Sequence, residues 1–315
     1  MKHSFVCLGF PKCATTTLDS ILRQHPQIKL PCHKETLFFE REDLYRRGIS
    51  WYESRYYGHS KSESFDKIYG EINPRNIGNG NCEKNVIKTF GEEVKLIYII
   101  RNPVDALFSW FRNLTESAAL YERCKDNVIT ENSFDDYVNS FLYSQKREDF
   151  RYRMGFAQYK YGCHLATALK YVPIENVYVV LFEDYIRDIE NETKKILSFI
   201  GADINVEINY DVKENVGNRI SKGEKALEAS RKKYRFWHKF YVPYFPFMGE
   251  KIERMMDAWY WNIRIKATVP AGENERIYIH EETRKKLMEY YLSDVELLDK
   301  TLKSNYGKRW GFIRG

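Results

Sequence analysis

Three short apolar runs constrain the fold of this chain more than any other feature. They cover residues 4–9, 94–101 and 177–182, and each is rich in β-branched or aromatic residues and is followed by a turn and a helical pattern. Strands that alternate with helices form a mostly parallel sheet that the helices cover. The sequence therefore predicts an α/β fold with a central, mostly parallel β-sheet flanked by helices.

The length of the chain suits one such domain. With 315 residues, of which 43% are hydrophobic, the chain can bury a full core without a second domain. We therefore expect a single domain over residues 1–315. Helical spacing predicts helices near residues 15–25, 103–111, 134–145, 158–171, 189–200, 222–233 and 281–302, with Asn102 and Gly201 as caps of two of them.

The first motif with a chemical meaning is the loop after the first apolar run, residues 9–18, which read GFPKCATTTL. A loop between a buried strand and a helix directs backbone N–H groups and the positive end of the helix dipole towards one point. Lys12 adds a full positive charge, and three consecutive threonines add hydroxyl donors. The loop is therefore predicted to bind a phosphate-like anion.

The phosphate loop of kinases and NTPases is the obvious competitor. Its pattern is GxxxxGK[ST], whereas Lys12 lies three residues after Gly9 with no second glycine before it. The spacing argues against that loop, although a threonine hydroxyl after the lysine is what a magnesium site would need. A nucleotide-dependent kinase or NTPase with a degenerate phosphate loop is therefore kept as an alternative function.

A second motif lies at the end of the second apolar run. There a predicted strand ends in Arg101, a turn contains Pro103, and Ser109 follows eight residues after the arginine. The carboxyl ends of parallel strands border the crevice in which such sheets bind ligands, and the guanidinium fork suits a phosphate. The order and spacing of the two motifs point to one ligand with two anionic ends.

Together these motifs resemble those of sulfotransferases that use 3′-phosphoadenosine-5′-phosphosulfate (PAPS). The resemblance implies the sulfotransferase fold, which is like that of the P-loop NTPases, with PAPS as donor and its desulfated form, PAP, as product. It implies that the 3′-phosphate is bound by Arg101 and Ser109. It also assigns the 5′-phosphosulfate to the first loop, through Pro11, Lys12, Cys13, Ala14, Thr15, Thr16 and Thr17.

A third motif, residues 34–40 (KETLFFE) followed by residues 48–52 (GISWY), is similar to segments of the heparan-sulfate-type, carbohydrate-directed branch of that family. The resemblance makes Glu35 the catalytic base. Phe38 and Phe39 are better explained by core packing. Residues 70–74 (GEINP) stand where such enzymes line the acceptor cleft, although Ile72 and Arg75 depart from the commoner pattern and leave the function of this segment open.

Sulfuryl transfer requires a base for the acceptor proton and a cation against the departing oxygen. Glu35 is the candidate base, Lys12 the candidate cation, and Lys34 a second donor. Neither role requires a metal. The acceptor is predicted to be a hydroxyl or amine of a carbohydrate or a small molecule.

A weaker motif lies in residues 214–222, where many sulfotransferases close a loop over the 3′-phosphate. The resemblance makes Asn215, Arg219 and Lys222 candidates for cofactor binding. The stretch from residue 282 to residue 310 is similar to the closing helix of the family. The resemblance covers most of the chain, with residues 225–275 as the main exception.

Residues 231–261 are crowded with aromatic side chains and, near their start, with cations. They suit an acceptor-site lid, a membrane-surface contact, a homodimer interface, or an ordinary helical hairpin packed on the sheet. The sequence leaves these interpretations open.

Charge and cysteine content limit the remaining classes. A net charge of +6 is too diffuse to indicate nucleic acid, although a noncatalytic basic nucleic-acid-binding protein is kept as a second alternative. The six cysteines form no CxxC pair and no zinc-like spacing with histidine, as expected of a reduced cytoplasmic chain without a metal. No run approaches the roughly 20 apolar residues of a membrane span, so a soluble protein is expected.

Overall fold

The computed structural model describes residues 3–32, 34–58, 67–74, 81–120, 131, 133–212, 219–221, 268–270 and 278–313. The strands are β1 His3–Cys7, β2 Ile28–Lys29, β3 Ile68–Ile72, β4 Lys95–Ile100, β5 Val177–Leu181, β6 Arg219–Ser221 and β7 Thr268–Pro270. The helices are α1 Thr15–Leu22, α2 Glu42–Tyr45, α3 Ile49–Tyr57, α4 Asn81–Phe90, α5 Pro103–Leu120, α6 Phe134–Tyr143, α7 Phe150–Ala157, α8 Tyr161–Ala168, α9 Phe182–Arg187, α10 Ile189–Ile200, α11 Glu281–Leu302 and α12 Tyr306–Arg309. Among these helices none combines the length and the apolar character that crossing a membrane requires.

The central sheet has five strands in the order β2-β3-β1-β4-β5, and all of its pairs are parallel. The chain leaves β1 towards β2 on one side, whereas it leaves β4 towards β5 on the other side. The carboxyl ends of the adjacent strands β1 and β4 therefore flank the switch point, where sheets of this kind bind their ligands. This topology confirms the predicted α/β fold.

The three predicted strands are present as β1, β4 and β5, whereas β2 and β3 were not predicted. β2 has two residues, and β3 contains Gly70 and Glu71, both of which are uncommon in strands. β6 and β7 form a separate antiparallel pair. The single domain over the whole chain stays a prediction.

The first loop approaches β4 through the backbone. The N–H of Leu8 donates to the carbonyl of Ile97 at 2.9 Å, and that of Phe10 donates to the carbonyl of Ile99 at 3.4 Å. Between them, a Cβ atom added at Gly9 would lie 2.1 Å from the backbone nitrogen of Ile99. Only glycine allows this approach, which brings the first loop beside the end of β4.

The predicted caps are confirmed. The side-chain oxygen of Asn102 accepts from the N–H of Val104 at 3.0 Å at the start of α5, and Gly201 is left-handed, with φ 79°, at the end of α10. The helix predicted over residues 158–171 is shorter and follows a separate helix, α7. The helix predicted over residues 222–233 lies outside the described residues.

The long helix α11 joins the C-terminal part of the chain to α8. The carboxylate of Asp294 in α11 accepts from the backbone N–H groups of Gly162 and Cys163 at 2.9 and 3.0 Å. A Cβ at Gly162 would lie 2.3 Å from the carbonyl oxygen of Asp294, so the two helices touch backbone to backbone. α11 thereby fixes α8 against the core, next to the first loop.

Candidate functional site

The first loop has an unusual backbone conformation. Lys12 and Ala14 both have left-handed backbones, with φ 65° and φ 60°. Ala14 precedes α1, whose N-terminus has neither a side-chain cap nor an acidic residue in its first turn. The N-terminal N–H groups and the dipole of α1 therefore face the loop without a carboxylate from the helix's own first turn, which favours an anion there.

Several residues of the first loop are buried, and Cys13 is one that supports the loop rather than contacting a ligand with its side chain. Cys13 is 0% exposed, and burial raises the pKa of its thiol to about 12. Its Sγ contacts the carbonyl of Pro11 at 3.5 Å, and the same carbonyl accepts from the buried hydroxyl of Tyr159 at 3.2 Å. Cys13 is therefore neutral, and its thiol is not accessible to a ligand.

Arg101 meets the first loop. Its Nη1 donates to the carbonyl oxygen of Lys12 at 3.4 Å, and the guanidinium carbon lies 4.4 Å from the ring centroid of Phe182, the first residue of α9. The guanidinium is thus held between the loop and an aromatic face. The two motifs, separated by most of the first hundred residues, therefore contact each other at the carboxyl ends of β1 and β4.

Helix α5 forms another wall beside the loop. The Nζ of Lys12 donates to Oδ1 of Asn113 at 3.4 Å. Ser109 precedes Asn113 by four residues and therefore shares its face of α5. Asn113 was not predicted, although its spacing from Ser109 could have indicated it.

The third motif also reaches the first loop, through Lys34. The Nζ of Lys34 lies 3.4 Å from Oγ1 of Thr15, 3.3 Å from Oγ1 of Thr16 and 3.0 Å from Oε1 of Glu35. The side chain of Lys34 is 17% exposed and that of Glu35 is 32% exposed. The candidate base and the second candidate cation therefore lie at the loop, with the carboxylate of Glu35 accessible to a ligand.

The two phenylalanines of the third motif belong to the core, as predicted. Phe38 and Phe39 are 0% and 1% exposed and contact each other edge to face, with ring centroids 5.0 Å apart. The segment 70–74 is buried as well, since Glu71 is 0% and Ile72 1% exposed. It lies beneath the third motif rather than along an open cleft wall.

Three of the predicted contacts fall where the structure gives no side chain. Asn215 and Lys222 lie outside the described residues, as do residues 231–261. Arg219 is described as backbone in β6. Their roles stay predictions.

Known proteins share sequence with much of this chain. A family model described as a sulfotransferase domain matches residues 2–242. A Dictyostelium discoideum protein named membrane-associated sulfotransferase kil1 is 33% identical over 108 residues, which are 34% of this chain and 22% of that protein. The matched part of this chain therefore spans about a fifth of that relative.

Solved structures share the fold. A sulfotransferase from Alicyclobacillus acidocaldarius, 18% identical, superposes with a TM-score of 0.62 over 98% of this chain and 99% of its own. A mouse sulfotransferase, SULT7A1, solved in complex with PAP, is 17% identical and has a TM-score of 0.41 over 65% of this chain and 61% of its own. The first of these similarities shows a common architecture.

Proposed function

Because the chain belongs to the sulfotransferase family, we propose that it transfers a sulfuryl group from PAPS to a hydroxyl or amine of a carbohydrate or small-molecule acceptor. The observation that carries this proposal is the contact between Arg101 and the backbone of Lys12. This contact supports the proposal because it joins the two candidate phosphate-binding segments at the carboxyl ends of β1 and β4.

The residues present suit a donor with two anionic ends. The left-handed backbone of the first loop and the uncapped start of α1 offer N–H donors to a 5′-phosphosulfate, and Lys12 adds charge. The guanidinium of Arg101 offers a fork to the 3′-phosphate, with Ser109 on the adjacent helix face as a hydroxyl donor.

The donor supplies a sulfuryl group carried on a phosphate leaving group. The acceptor oxygen or nitrogen forms a bond to sulfur while the bond from sulfur to the bridging oxygen breaks, and that oxygen departs with the electron pair. Glu35 accepts the acceptor's proton, and Lys12 neutralises the charge that grows on the bridging oxygen. Lys34, which contacts Thr15 and Glu35, is the second cation at this point.

The acceptor class follows from the third motif, because its resemblance is to carbohydrate-directed enzymes. We therefore place carbohydrates first among the acceptors, with phenols and amines as the small-molecule classes. Transfer to oxygen and transfer to nitrogen both need the same base, so Glu35 suits either.

Calorimetry with PAP tests the proposal. PAP should bind and raise the melting temperature through linkage, whereas ATP with magnesium, or an oligonucleotide, should do little. Arg101→Ala should weaken PAP binding by at least about tenfold, since hydrogen bonds to charged groups are the strong ones. Arg47→Ala is the matched control, because Arg47 also lies over an aromatic ring, that of Trp51, at 4.8 Å.

Turnover is then measured with ³⁵S-labelled PAPS and a panel of heparosan and chitin oligosaccharides, p-nitrophenol and tyramine. Label should appear on at least one of these acceptors. No binding of PAP by the wild-type chain, or equal binding by wild type and Arg101→Ala, would contradict the proposal.

A further inference from the structure

A buried carboxylate lies directly beneath the third motif. Glu71, in β3, is 0% exposed. Its Oε1 accepts from Oγ1 of Thr36 at 2.5 Å, and its Oε2 accepts from the hydroxyl of Tyr52 at 2.5 Å. Burial raises the pKa of Glu71, and the hydrogen bonds from Thr36 and Tyr52 oppose this effect. Burying a carboxyl group is costly without partners, and both oxygens of Glu71 have one.

Thr36 lies at the centre of a strained turn. Its neighbours Glu35 and Leu37 are both left-handed, with φ 62° and φ 57°. Each such residue costs about 1–3 kcal/mol, and it persists only where the surroundings fix the backbone. Thr36 stabilises this turn, because its Oγ1 accepts from the N–H of Phe38 at 3.2 Å while it donates to Glu71.

Tyr52 connects helix α3 to the same carboxylate. It is 0% exposed, and its ring centroid lies 4.6 Å from that of Phe38. Its hydroxyl also lies 3.3 Å from that of Tyr57, which donates to the carbonyl of Gly70 at 2.9 Å. Three separate segments, residues 34–38, α3 and β3, therefore meet at Glu71.

We propose that Glu71, Thr36 and Tyr52 form a positioning network that holds Glu35 in the orientation from which it accepts the acceptor's proton. The inference rests on the proposed function, in which Glu35 is the base. None of the three touches the reacting atoms in this arrangement; they act through the backbone turn that carries Glu35. The N–H of Glu35 itself donates to the carbonyl of Ile72, next to Glu71 in the strand, at 3.4 Å.

The network explains why these motifs occur together. A base that is misplaced by about 1 Å can lose on the order of 10²-fold in rate, so the turn must be held tightly. A short strained turn cannot hold itself, and Glu71 offers two acceptors from inside the sheet. Glu71→Gln would replace one of these two acceptor oxygens by an NH₂ group, which would then face a hydroxyl donor. This variant is a poor test because the buried mismatch could unfold the chain.

Milder variants test the network. Thr36→Val and Tyr52→Phe each delete one hydroxyl and keep the shape of the side chain. Each should lower kcat by about 10- to 100-fold, with little change in the affinity for PAP, because the first loop is untouched. Thr36→Ser keeps the hydroxyl and should retain most of the wild-type kcat.

A control separates positioning from general loss of packing. Tyr291 is also 0% exposed, and its hydroxyl donates to the carbonyl of Phe156 at 3.0 Å, on helices α11 and α7. Tyr291→Phe should lower stability as Tyr52→Phe does and leave kcat unchanged. A similar fall of kcat in both tyrosine variants would contradict the positioning role.

The deciding experiment is a double-mutant cycle with Glu35→Gln, assayed with ³⁵S-labelled PAPS and the acceptor that the wild-type chain sulfates. If the network acts through Glu35, Thr36→Val should cause no further loss of kcat in the Glu35→Gln background. A loss as large as in the wild-type background would overturn the inference while leaving the sulfotransferase activity intact. If the wild-type chain neither binds PAP nor labels any acceptor of the panel, the proposed function itself fails, and the inference fails with it.

Discussion

Lys12 occupies a backbone conformation that residues with a side chain rarely adopt. Its φ is 65°, and Ala14, two residues later, has φ 60°. The hydroxyl of Tyr159, which donates to the carbonyl of Pro11, and the guanidinium of Arg101, which donates to that of Lys12, brace the loop from two sides. Strain of this kind persists where the surroundings over-determine the backbone, and it is common at functional sites.

Replacing Lys12 should therefore change the chemistry more than the fold. Lys12→Ala should lower kcat by about 10²- to 10³-fold, because the departing oxygen loses its cation. PAP affinity should fall less, since the backbone N–H groups of the first loop and the guanidinium of Arg101 still bind the two phosphates of PAP. Steady-state rates with labelled PAPS and calorimetry with PAP measure the two effects.

Lys194→Ala serves as the control for this prediction, because Lys194 is paired with Glu190 on the surface of α10. It should behave as wild type in both assays. A Lys12→Ala variant with an unchanged rate would reject the role of Lys12 at the leaving group.

The sequence allowed Lys12, Arg101, Lys34 and Glu35 to be singled out because their types and spacing match a motif. It could not reveal the contact from Lys12 to Asn113 or the left-handed backbone of Glu35. Left-handed backbone is signalled by glycine, and here the residues that adopt it have side chains. Such conformations depend on contacts from distant segments, which local patterns do not contain.

At the scale of elements, α4 and α8 bury a titratable pair against the core. Glu83 in α4 is 3% exposed, and burial raises the pKa of its carboxyl from 4.5 to about 7. Its Oε1 lies 4.0 Å from Nδ1 of His164 in α8, and burial lowers the pKa of His164. Burial thus favours the neutral form of both side chains.

This pair predicts a pH dependence of stability. A carboxyl whose folded pKa is raised binds its proton more tightly in the folded than in the unfolded chain, so its contribution is present at low pH. Relative to Glu83→Gln, the wild-type chain should lose about 3 kcal/mol of unfolding free energy as the pH rises from about 4.5 to about 7. Urea unfolding of both chains at pH 5 and pH 8 measures this difference.

Equal slopes of stability against pH for the two chains would contradict the prediction. The lowered pKa of His164 has the opposite effect on stability. A histidine that is buried in its neutral form destabilises the fold as the pH falls, because protonation then favours the unfolded chain. Because His164 is present in both chains, the comparison isolates Glu83.

Strands and helices could be predicted from the sequence where the local residue pattern agrees with the environment of the element in the fold. β4 and β5 are continuous apolar runs, as expected of parallel strands with both faces covered. β3 escaped prediction because its Gly70 lies against the ring of Phe5 and its Glu71 holds the turn at Thr36. Both are tertiary reasons that override strand propensity.

At the scale of the whole molecule, the C-terminal helix supports a loop near the N-terminus. Asp294 in α11 holds the first N–H groups of α8, and Tyr159, just before α8, reaches the carbonyl of Pro11. Phe10 packs on Tyr161 in α8, with ring centroids 4.6 Å apart. The order of the first loop therefore depends on residues almost three hundred positions later in the chain.

Asp294→Ala should expose this dependence. It would leave the N–H groups of Gly162 and Cys163 without their acceptor and remove a negative charge from the start of α8, at a cost of about 2–4 kcal/mol of unfolding free energy. Asp294→Asn keeps one acceptor oxygen and should lose less. Chemical unfolding measures the stability of the three chains. Equal stability of wild type and Asp294→Ala would contradict the prediction that α11 stabilises α8 through Asp294.

The meeting of the first loop with Arg101 could be predicted from sequence, because the carboxyl ends of parallel strands share one edge of a sheet. The match of the sulfotransferase domain to residues 2–242 confirms the family that these motifs indicated. Restriction to the heparan-sulfate-type branch, the homodimer and the cytoplasmic location stay predictions. They depend on surfaces and segments that no motif describes.

Gly9 fixes the distance between the first loop and the end of β4. Since its α-carbon faces the main chain of β4 at Ile99 with no room for a methyl group, the gap between the loop and the end of that strand depends on main-chain atoms alone. Substitutions of the loop's side chains can therefore change the affinity for an anion, while the distance between the loop and β4 stays constant.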